Sequence, residues 1–187
     1  GLQCKAEMSD NKTPSFILAS ASPRRKELLE KAGYQFDVKP SNVDESLHST
    51  DNKPAEYYAI ELAFAKAIDV AVRHPHNLVI GADTVVDLDG EIIGKPEDAA
   101  DAERIVRALF AKPHKVITAV SFMRLENRIE MANAETTVVY PKVLSEEQIA
   151  AHIESGKWQD KAGGYGIQDA EDDFIAKIDG SFSNVMG

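Results

Sequence analysis

Short apolar runs, which are typical of strands, alternate along the chain with amphipathic stretches that are typical of helices. The longest predicted helix covers residues 54–74, where apolar side chains recur every three or four positions and share one buried face. Further helices are predicted from Pro23 onward, over 99–110 and over 145–156. The last of these begins with a Ser-x-x-Gln capping box and ends at a glycine.

The strand predictions rest on apolar runs that are bounded by turn residues. They cover residues 16–19, 35–39, 77–83, 116–125, 134–140, 174–178 and 182–186, with a hairpin over 85–93 that turns at Asp89-Gly90. Residues 41–52 are polar and predict a loop. Because the connections include crossovers as well as hairpins, we expect an α/β fold with a mixed sheet flanked by helices.

Composition narrows the class of protein. With 187 residues, 43% of them hydrophobic, the chain can bury one substantial core. The net charge of −10 argues against a protein that binds nucleic acid or an anionic membrane through a basic face. Cys4 is the only cysteine, so we expect no disulfide framework and a cytoplasmic location. Residues 1–14 lack the apolar block of a secretory signal and are expected to be a disordered tail or an added remnant.

Two glycine motifs suggest nucleotide binding but fail on spacing. Gly90 and Gly94-Lys95 stand too close together for a P-loop, and Pro96 occupies the position of the metal-binding hydroxyl. The Gly-x-Gly at residues 164–166 lacks the third glycine and the strand-then-helix context of a dinucleotide site. We therefore expect neither kind of site.

The turn between the first strand and the first helix carries candidate phosphate ligands. Ser22 suits the N-cap position, and Pro23 suits the first helical position. The turn would then present free backbone N–H groups and the hydroxyls of Ser20 and Ser22. The guanidinium groups of Arg24 and Arg25 complete a set of donors that suits a phosphate. The alternative is a capped helix with solvated arginines.

Carboxylates near the ends of predicted elements are candidates for catalysis. Asp83 and Thr84 follow a buried strand, at the edge of the sheet where ligands gather in α/β folds. Asp44 and Glu45 lie in the polar loop, and carboxylates from separate segments can hold Mg²⁺ against phosphate. The alternatives are that Asp83 caps a turn and that Glu45 is solvated. On these residues alone, the functional interpretation is favoured for Asp83 and the solvated one for Glu45.

Two lysines are candidates for binding phosphate. Lys95 precedes Pro96, which restricts the lysine backbone to an extended form. Lys66 lies on the predicted 54–74 helix within one turn of Asp69. The alternative for Lys66 is therefore a surface pair with Asp69, worth about 0.3–0.5 kcal/mol. Taken by itself, Lys66 favours that surface pair.

Several longer motifs follow one another along the chain. They are Ser20-Ala-Ser-Pro-Arg-Arg25, Val43-Asp44-Glu45, Leu62-Ala63-x-x-Lys66-Ala67, Gly81-Ala82-Asp83-Thr84-Val85-Val86, Gly94-Lys95-Pro96, Glu135-Thr136 and Asp160-Lys-Ala-Gly-Gly-Tyr-Gly-Ile-Gln168. In this combination, residues 15–187 resemble the Maf family of nucleoside triphosphate pyrophosphatases. The resemblance implies an elongated two-lobed fold, related to that of the ITPases, with a twisted mixed sheet and a cleft between the lobes. It also implies hydrolysis of a nucleoside triphosphate to the monophosphate and pyrophosphate with a divalent metal, Mg²⁺ or Mn²⁺.

The resemblance implies roles for single residues as well. Asp83 would be the proton acceptor and, with Glu45, a metal ligand; Glu45 would also help to position the water. Lys66 and Lys95 would hold phosphate oxygens during catalysis. The residues expected to bind substrate are Ser20, Ser22, Arg24, Arg25, Thr84 and Gln168.

Three positions separate branches of the family. Arg24, Thr84 and Gln168 resemble the branch that acts on dTTP and UTP, and the amide of a glutamine can match the O4 and N3–H edge of uracil or thymine. One alternative is the 7-methyl-GTP branch, which typically has an aromatic residue, Gln and Glu at these positions. Another is a non-catalytic nucleotide-binding regulator of cell division, against which the intact carboxylates and lysines argue.

Two departures from the family pattern stand near the C-terminal end of the sequence. Asp169 occupies a position where the family usually has Gly, so the loop geometry there is expected to differ. The family normally continues past Gly187 into Leu-Pro and a final helix, so an uncovered apolar face is expected. The expected partner is a nucleoside triphosphate, with no nucleic acid and no membrane, and a homodimer is possible.

Overall fold

A seven-stranded mixed sheet forms the centre of the molecule, which a computed structural model describes over residues 15–166 and 174–187. The strands are β1 (Phe16–Leu18), β2 (Phe36–Val38), β3 (Val79–Leu88), β4 (Glu91–Ile93), β5 (His114–Arg124), β6 (Ile129–Pro141) and β7 (Ile175–Asp179). Their order across the sheet is β2-β1-β3-β5-β6-β7, and β4 pairs with β3. β1 runs parallel to β2 and β3, whereas the other pairs are antiparallel.

Helices cover both faces of this sheet, so the predicted mixed α/β fold is confirmed. They are α1 (Pro23–Lys31), α2 (Ala55–Ala71), α3 (Ala99–Leu109), α4 (Glu146–Ser155) and α5 (Phe182–Met186), with short 3-10 turns at Glu45–Leu47 and Ala162–Gly164. Local signals set their ends as predicted. Ser22 caps α1, and α4 begins with a capping box and ends at Gly156 in the left-handed conformation.

Two predicted elements differ from the structure. Residues 182–186, predicted as a strand, form α5, because the Ser181 hydroxyl accepts a hydrogen bond from the Asn184 N–H (3.3 Å) and so caps a helix. Five residues are too few for alternation to separate a strand from a helix. The predicted strand over 77–83 and the first arm of the hairpin form one continuous strand, β3. The predicted hairpin turn is confirmed, because Asp89 and Gly90 both have positive φ, as a type I′ turn requires.

Successive side chains of β3 point to opposite faces of the sheet. Val79 and Val85 pack against α2. Ile80 packs on the other face beneath α1, and Val86 packs there against α3. The helices therefore lie on the two opposite faces of the sheet, with α2 on one face and α1 and α3 on the other. No helix in the described ranges combines the length and the apolar character that a bilayer span requires.

Gly81 allows α2 to lie close to β3. A Cβ atom at this position would collide with the Ala63 carbonyl oxygen and would lie 2.9 Å from the Ala67 nitrogen. Ala63 and Ala67 are themselves fully buried at this contact. The short distance between helix and strand brings Lys66 of α2 within reach of Asp83 of β3.

One edge of β3 is left open over residues 81–85. β1 pairs with β3 as far as Ile80, and β4 begins to pair at Val86. On the opposite edge, β5 pairs with β3 without a break from Val79 to Asp87. Within the described residues, no strand fills the space between β1 and β4. Asp83 lies at the middle of this gap.

Candidate active site

A cavity of about 450 Å³ lies at the open edge of β3. It is enclosed by the turn before α1, the loop that follows β2, the segment after β4 and the loop that follows α4. The predicted site residues that line it are Ser20, Ser22, Arg24, Arg25, Glu45, Lys66, Asp83, Thr84 and Lys95. Gln168, the remaining predicted site residue, lies outside the described residues.

Asp83 is the most deeply buried carboxylate of the cavity, with only 5% of its surface exposed. Its Oδ1 atom accepts a hydrogen bond from the Lys66 ammonium (2.7 Å). Its Oδ2 atom has no hydrogen-bond partner within the described residues. Burial raises the pKa of Asp83 above its usual value, and the nearby Lys66 and Arg25 only partly oppose this effect. Among the described residues, Asp83 therefore has one oxygen without a hydrogen-bond partner, on a carboxylate whose pKa is raised.

Lys66 joins two carboxylates from distant parts of the chain. Besides Asp83, its ammonium contacts Glu45 Oε1 (2.9 Å), and only 13% of the lysine side chain is exposed. The alternative of a surface pair with Asp69 is wrong. Asp69 instead accepts hydrogen bonds from the Asn42 N–H (2.9 Å) and from Arg73 (3.2 Å).

Glu45 begins the 3-10 turn that follows β2, and the alternative of a fully solvated side chain is also wrong. Asp44 caps this turn through a hydrogen bond from the Ser46 N–H (3.0 Å), so Asp44 itself does not line the cavity. The Glu45 side chain is 40% exposed. Its partial burial alone would raise its pKa, but Lys66, Lys95 and Arg25 outweigh burial and lower the pKa of Glu45.

The turn before α1 brings Ser20 and Ser22 to the cavity, and the first turn of α1 brings Arg24 and Arg25. Ser20 Oγ accepts hydrogen bonds from the Ser22 N–H (3.2 Å) and from Arg25 Nη1 (3.1 Å). Ser22 Oγ accepts from the Arg25 N–H (3.4 Å). Arg24 Nε donates to the Met186 carbonyl oxygen (3.2 Å), and its two Nη atoms have no hydrogen bond to the described residues. Arg24 thus retains donors for an anion.

Arg25 makes its contacts with the protein itself. Its Nε donates to the Gly187 carbonyl oxygen (2.8 Å), its Nη1 to Ser20 and its Nη2 to Thr84 Oγ1 (3.1 Å). The Thr84 hydroxyl also contacts the Thr118 hydroxyl (2.9 Å). Arg25 therefore holds the turn, β3 and the segment after α5 together, a role that its sequence motif did not indicate.

Lys95 is exposed and faces the cavity from the segment after β4. The loop after α4 supports this segment, because the Gly163 N–H donates to the Gly94 carbonyl oxygen (3.1 Å) and Gly164 lies against Pro96. Both glycines have positive φ, and a Cβ atom at Gly164 would lie only 3.1 Å from the Pro96 ring. The glycine-rich loop thus fixes the position of Lys95.

Tyr165 closes the cavity from the glycine-rich loop, and sequence reasoning assigned it no role. His114 Nδ1 lies 3.0 Å from the Leu109 carbonyl oxygen, so this nitrogen donates and Nε2 accepts from the Tyr165 hydroxyl (2.5 Å). Burial lowers the pKa of His114 and raises that of Tyr165, so both groups are neutral near pH 7. The sequence signal that could have indicated this role is an aromatic residue directly after two glycines, Gly163 and Gly164.

The free oxygen of Asp83 fits a divalent metal. Residues 15–166 and 174–187 contain no cluster of three or more His, Cys, Asp or Glu side chains that could hold an ion by themselves. Mg²⁺, however, is commonly bound by one or two carboxylates together with phosphate oxygens and water. Asp83 Oδ2, buried without a partner, and the half-exposed Glu45 carboxylate meet that requirement.

The chain is similar along most of its length to known proteins. The family model of Maf-like proteins matches residues 15–187. The chain belongs to the Maf family. It is 41% identical to the dTTP/UTP pyrophosphatase of Ruminiclostridium cellulolyticum over 173 residues, which are 92% of this chain and 89% of that protein. It is 46% identical to the dTTP/UTP pyrophosphatase of Geotalea uraniireducens over 173 residues, 92% of this chain and 88% of that one.

Among solved structures, the HAM1 protein of Coxiella burnetii is similar with a TM-score of 0.47 and 16% identity, over 69% of this chain and 73% of that chain. This likeness is much weaker than that of the sequence relatives. Membership of the family rests on the latter.

Proposed function

We propose that this protein hydrolyses a nucleoside triphosphate to the monophosphate and pyrophosphate, and that dTTP and UTP are its preferred substrates. The observation that carries the proposal is the buried Asp83 carboxylate, which has one oxygen bound to Lys66 and one without a partner, in a cavity lined by Arg24 and Lys95. The names of the similar proteins, dTTP/UTP pyrophosphatase, support the same chemistry and substrates.

In this mechanism Asp83 accepts a proton from the attacking water. Lys66 holds Oδ1, and Oδ2, which has no hydrogen-bond partner among the described residues, is left to accept the proton as the water attacks the α-phosphorus. A general base acts best when its pKa is not far below the working pH, so the raised pKa of Asp83 suits this role. As the bond to the α-phosphorus forms, the bond to the bridging oxygen of the β-phosphate breaks, and pyrophosphate leaves.

The cations that line the cavity stabilise the charge that develops on the leaving group. The Nη atoms of Arg24 have no hydrogen bond to the described residues, and Lys95 projects an ammonium from a supported segment. Fixed donors of this kind stabilise the transition state because they need no reorganisation during the reaction. Because the chain as a whole carries a net charge of −10, this local cluster is what attracts a polyanionic substrate.

We also propose that Asp83 and Glu45 hold Mg²⁺ or Mn²⁺ together with the substrate phosphates. When bound, such an ion polarises phosphoryl oxygens as a Lewis acid. The lowered pKa of Glu45 keeps this carboxylate ionised across the neutral range, as a metal ligand must be.

The pyrimidine preference rests on Arg24, Thr84 and Gln168 and on the similar proteins. Thr84 is held by Arg25 and Thr118, so its small side chain is fixed at the cavity wall. A glutamine amide at position 168 offers both a donor and an acceptor to the edge of uracil or thymine. A site that hydrogen-bonds a base edge can discriminate by about 10⁴-fold, because the wrong base leaves polar groups unpaired.

Pyrophosphate release from a panel of triphosphates, with and without added Mg²⁺ or Mn²⁺, tests these proposals. We expect kcat/KM for dTTP and UTP to exceed that for ATP, GTP and 7-methyl-GTP. A preference for 7-methyl-GTP would overturn the proposed substrates but not the reaction. Nucleotide binding without any pyrophosphate release would support the regulator instead. The cytoplasmic location and the homodimer stay predictions.

A further inference from the structure

The loop that carries Glu45, residues 41–53, contributes no side chain to the buried core. None of residues 41–53, all of which the structure describes, is buried, and the large apolar side chain of Leu47 is 82% exposed. Its 3-10 turn is three residues long, from Glu45 to Leu47. Only Val43, which is partly buried, adds apolar contact near Glu45, so the hydrophobic effect holds the loop weakly and polar contacts have to supply the rest.

These polar contacts all lead to α2. The Asn42 N–H donates to Asp69 Oδ2 (2.9 Å) at one end of the loop. At the other end, His48 Nδ1 lies 2.7 Å from Glu61 Oε1, and the Lys53 ammonium lies 2.7 Å from Glu61 Oε2. Asp69 and Glu61 are eight residues apart, so they lie on one side of the helix. Glu45 sits between these two attachment points.

Glu61 uses both carboxylate oxygens for this attachment. Its side chain is 38% exposed, and those of His48 and Lys53 are 25% and 33% exposed. Hydrogen bonds from Lys53 and His48 lower the pKa of Glu61, so it is ionised when the loop is attached. Exposed ion pairs add little to global stability. Loss of Glu61 should therefore release the loop without unfolding the protein.

We infer that Glu61 is a positioning residue, which ties the 41–53 loop to α2 and thereby keeps Glu45 at the Lys66 ammonium. Glu61 does not line the cavity, so it acts on the reaction through Glu45 and touches no substrate. This inference rests on the proposed function, in which Glu45 assists at the metal and the water. It adds a residue that belongs to none of the family motifs quoted above.

A double-mutant cycle in the full chain tests the inference. We expect Glu61→Ala to lower kcat/KM for dTTP about tenfold, within the range of coupling found for residues of one network. In the Glu45→Ala background, the same change should lower kcat/KM less than about twofold, because Glu45 is no longer there to be positioned. An equal loss in both backgrounds, or no loss in either, would overturn the inference.

Amide hydrogen exchange gives a measurement that does not depend on activity. The Leu47 and His48 N–H groups bond to the Asp44 and Glu45 carbonyl oxygens within the turn. In Glu61→Ala, we expect both amides to exchange at least about tenfold faster while the amides of α2 keep their rates. Unchanged exchange at Leu47 and His48 would contradict the inference.

Glu56→Ala is the matched control. Glu56 is an exposed carboxylate on the same helix, but it accepts a hydrogen bond from Thr136 (3.0 Å) and does not contact the loop. We expect its kcat/KM and its loop exchange to equal those of the unchanged protein. If the unchanged protein releases no pyrophosphate, the proposed function fails, and the exchange rates alone then decide whether Glu61 holds the loop.

Discussion

Strand β3 and the 41–53 loop each bring one carboxylate to the same lysine, Lys66. The two carboxylates differ in how deeply they are buried. Asp83 lies on a ten-residue strand and is 5% exposed. Glu45 lies on a loop without a buried residue, and its side chain is 40% exposed. Both contact the Lys66 ammonium, at 2.7 and 2.9 Å.

The difference in burial decides what one shared cation does to each acid. At Asp83, desolvation exceeds the effect of Lys66, and the pKa is raised. At Glu45, Lys66 together with Lys95 and Arg25 exceeds desolvation, and the pKa is lowered. The strand therefore supplies an acid that can exchange a proton, whereas the loop supplies one that stays charged.

The largest expected effect comes from removing the base on the strand. Asp83→Asn should lower kcat about 10²- to 10⁴-fold, because an amide cannot accept the proton of the water. Steady-state kinetics with dTTP measures the loss, and circular dichroism checks that the variant is folded. Asp37→Asn, an exposed site on β2, is the matched control. A folded Asp83→Asn protein with nearly normal turnover would refute the role of Asp83.

Removing the shared cation should affect both regions at once. Lys66→Met should lower kcat/KM about 10²-fold, the order of loss seen when one fixed electrostatic group is removed from an active site. Because Lys66 opposes the effect of burial on Asp83, its loss should also raise the pKa of Asp83 further and move the acid limb of the pH–rate profile upward. Lys26→Met, which removes an exposed lysine of α1, serves as the control. An acid limb that stays in place would show that Asp83 does not titrate in that limb.

Two adjacent arginines are expected to have different roles: Arg24 binds the substrate, and Arg25 supports the structure of the site. Arg24→Ala should raise KM for dTTP about tenfold, since a charge-assisted hydrogen bond contributes about 1.5–3 kcal/mol. Arg25→Ala should lower the melting temperature by several degrees, because three protein acceptors lose their donor. Kinetics and thermal unfolding of both variants distinguish the roles. The reverse pattern would show that Arg25 is the phosphate ligand.

The smallest expected effect is a gain in stability. Because burial raises the folded-state pKa of Asp83 above its unfolded value, folding disfavours the ionised form, and stability is lost as pH rises through the folded pKa. Asp83→Asn removes this loss of folding stability, because the asparagine side chain does not ionise. Its melting temperature should exceed that of the unchanged protein at pH 8, which thermal unfolding of both proteins measures. The gain should shrink towards pH 4, and a gain that grows there would contradict the raised pKa.

Local patterns predicted most of the secondary structure because each signal acts over a few residues. The Ser22 cap, the capping box of α4 and the Asp89-Gly90 turn all formed as predicted. The pattern was wrong for α5, where five residues did not separate a helix from a strand. The pattern also predicted two strands where the structure has the single strand β3, because a long buried strand with a polar residue at its centre resembles two strands.

The candidate site was harder to predict from the residues alone. Asp83 follows a buried strand, so local reasoning favoured it. Lys66 and Glu45 were favoured as surface residues, because their contact depends on the close approach of α2 at Gly81 and on a loop fold that no local pattern encodes. Only the family motifs pointed to them. Glu61, which belongs to none of those motifs, became visible through its contacts in the structure.

The open edge of β3 depends on where β4 stops. Ile93 pairs with Val86, and continued pairing in the same register would place Gly94 opposite Val85, Lys95 opposite Thr84 and Pro96 opposite Asp83. Proline has no N–H to donate to a strand pair, and glycine weakens one. The Gly-Lys-Pro segment therefore does more than present an ammonium. It prevents β4 from continuing its pairing along β3. A strand-forming sequence at these three positions would be expected to pair with β3 over residues 83–85 and so to fill the cavity with its own backbone.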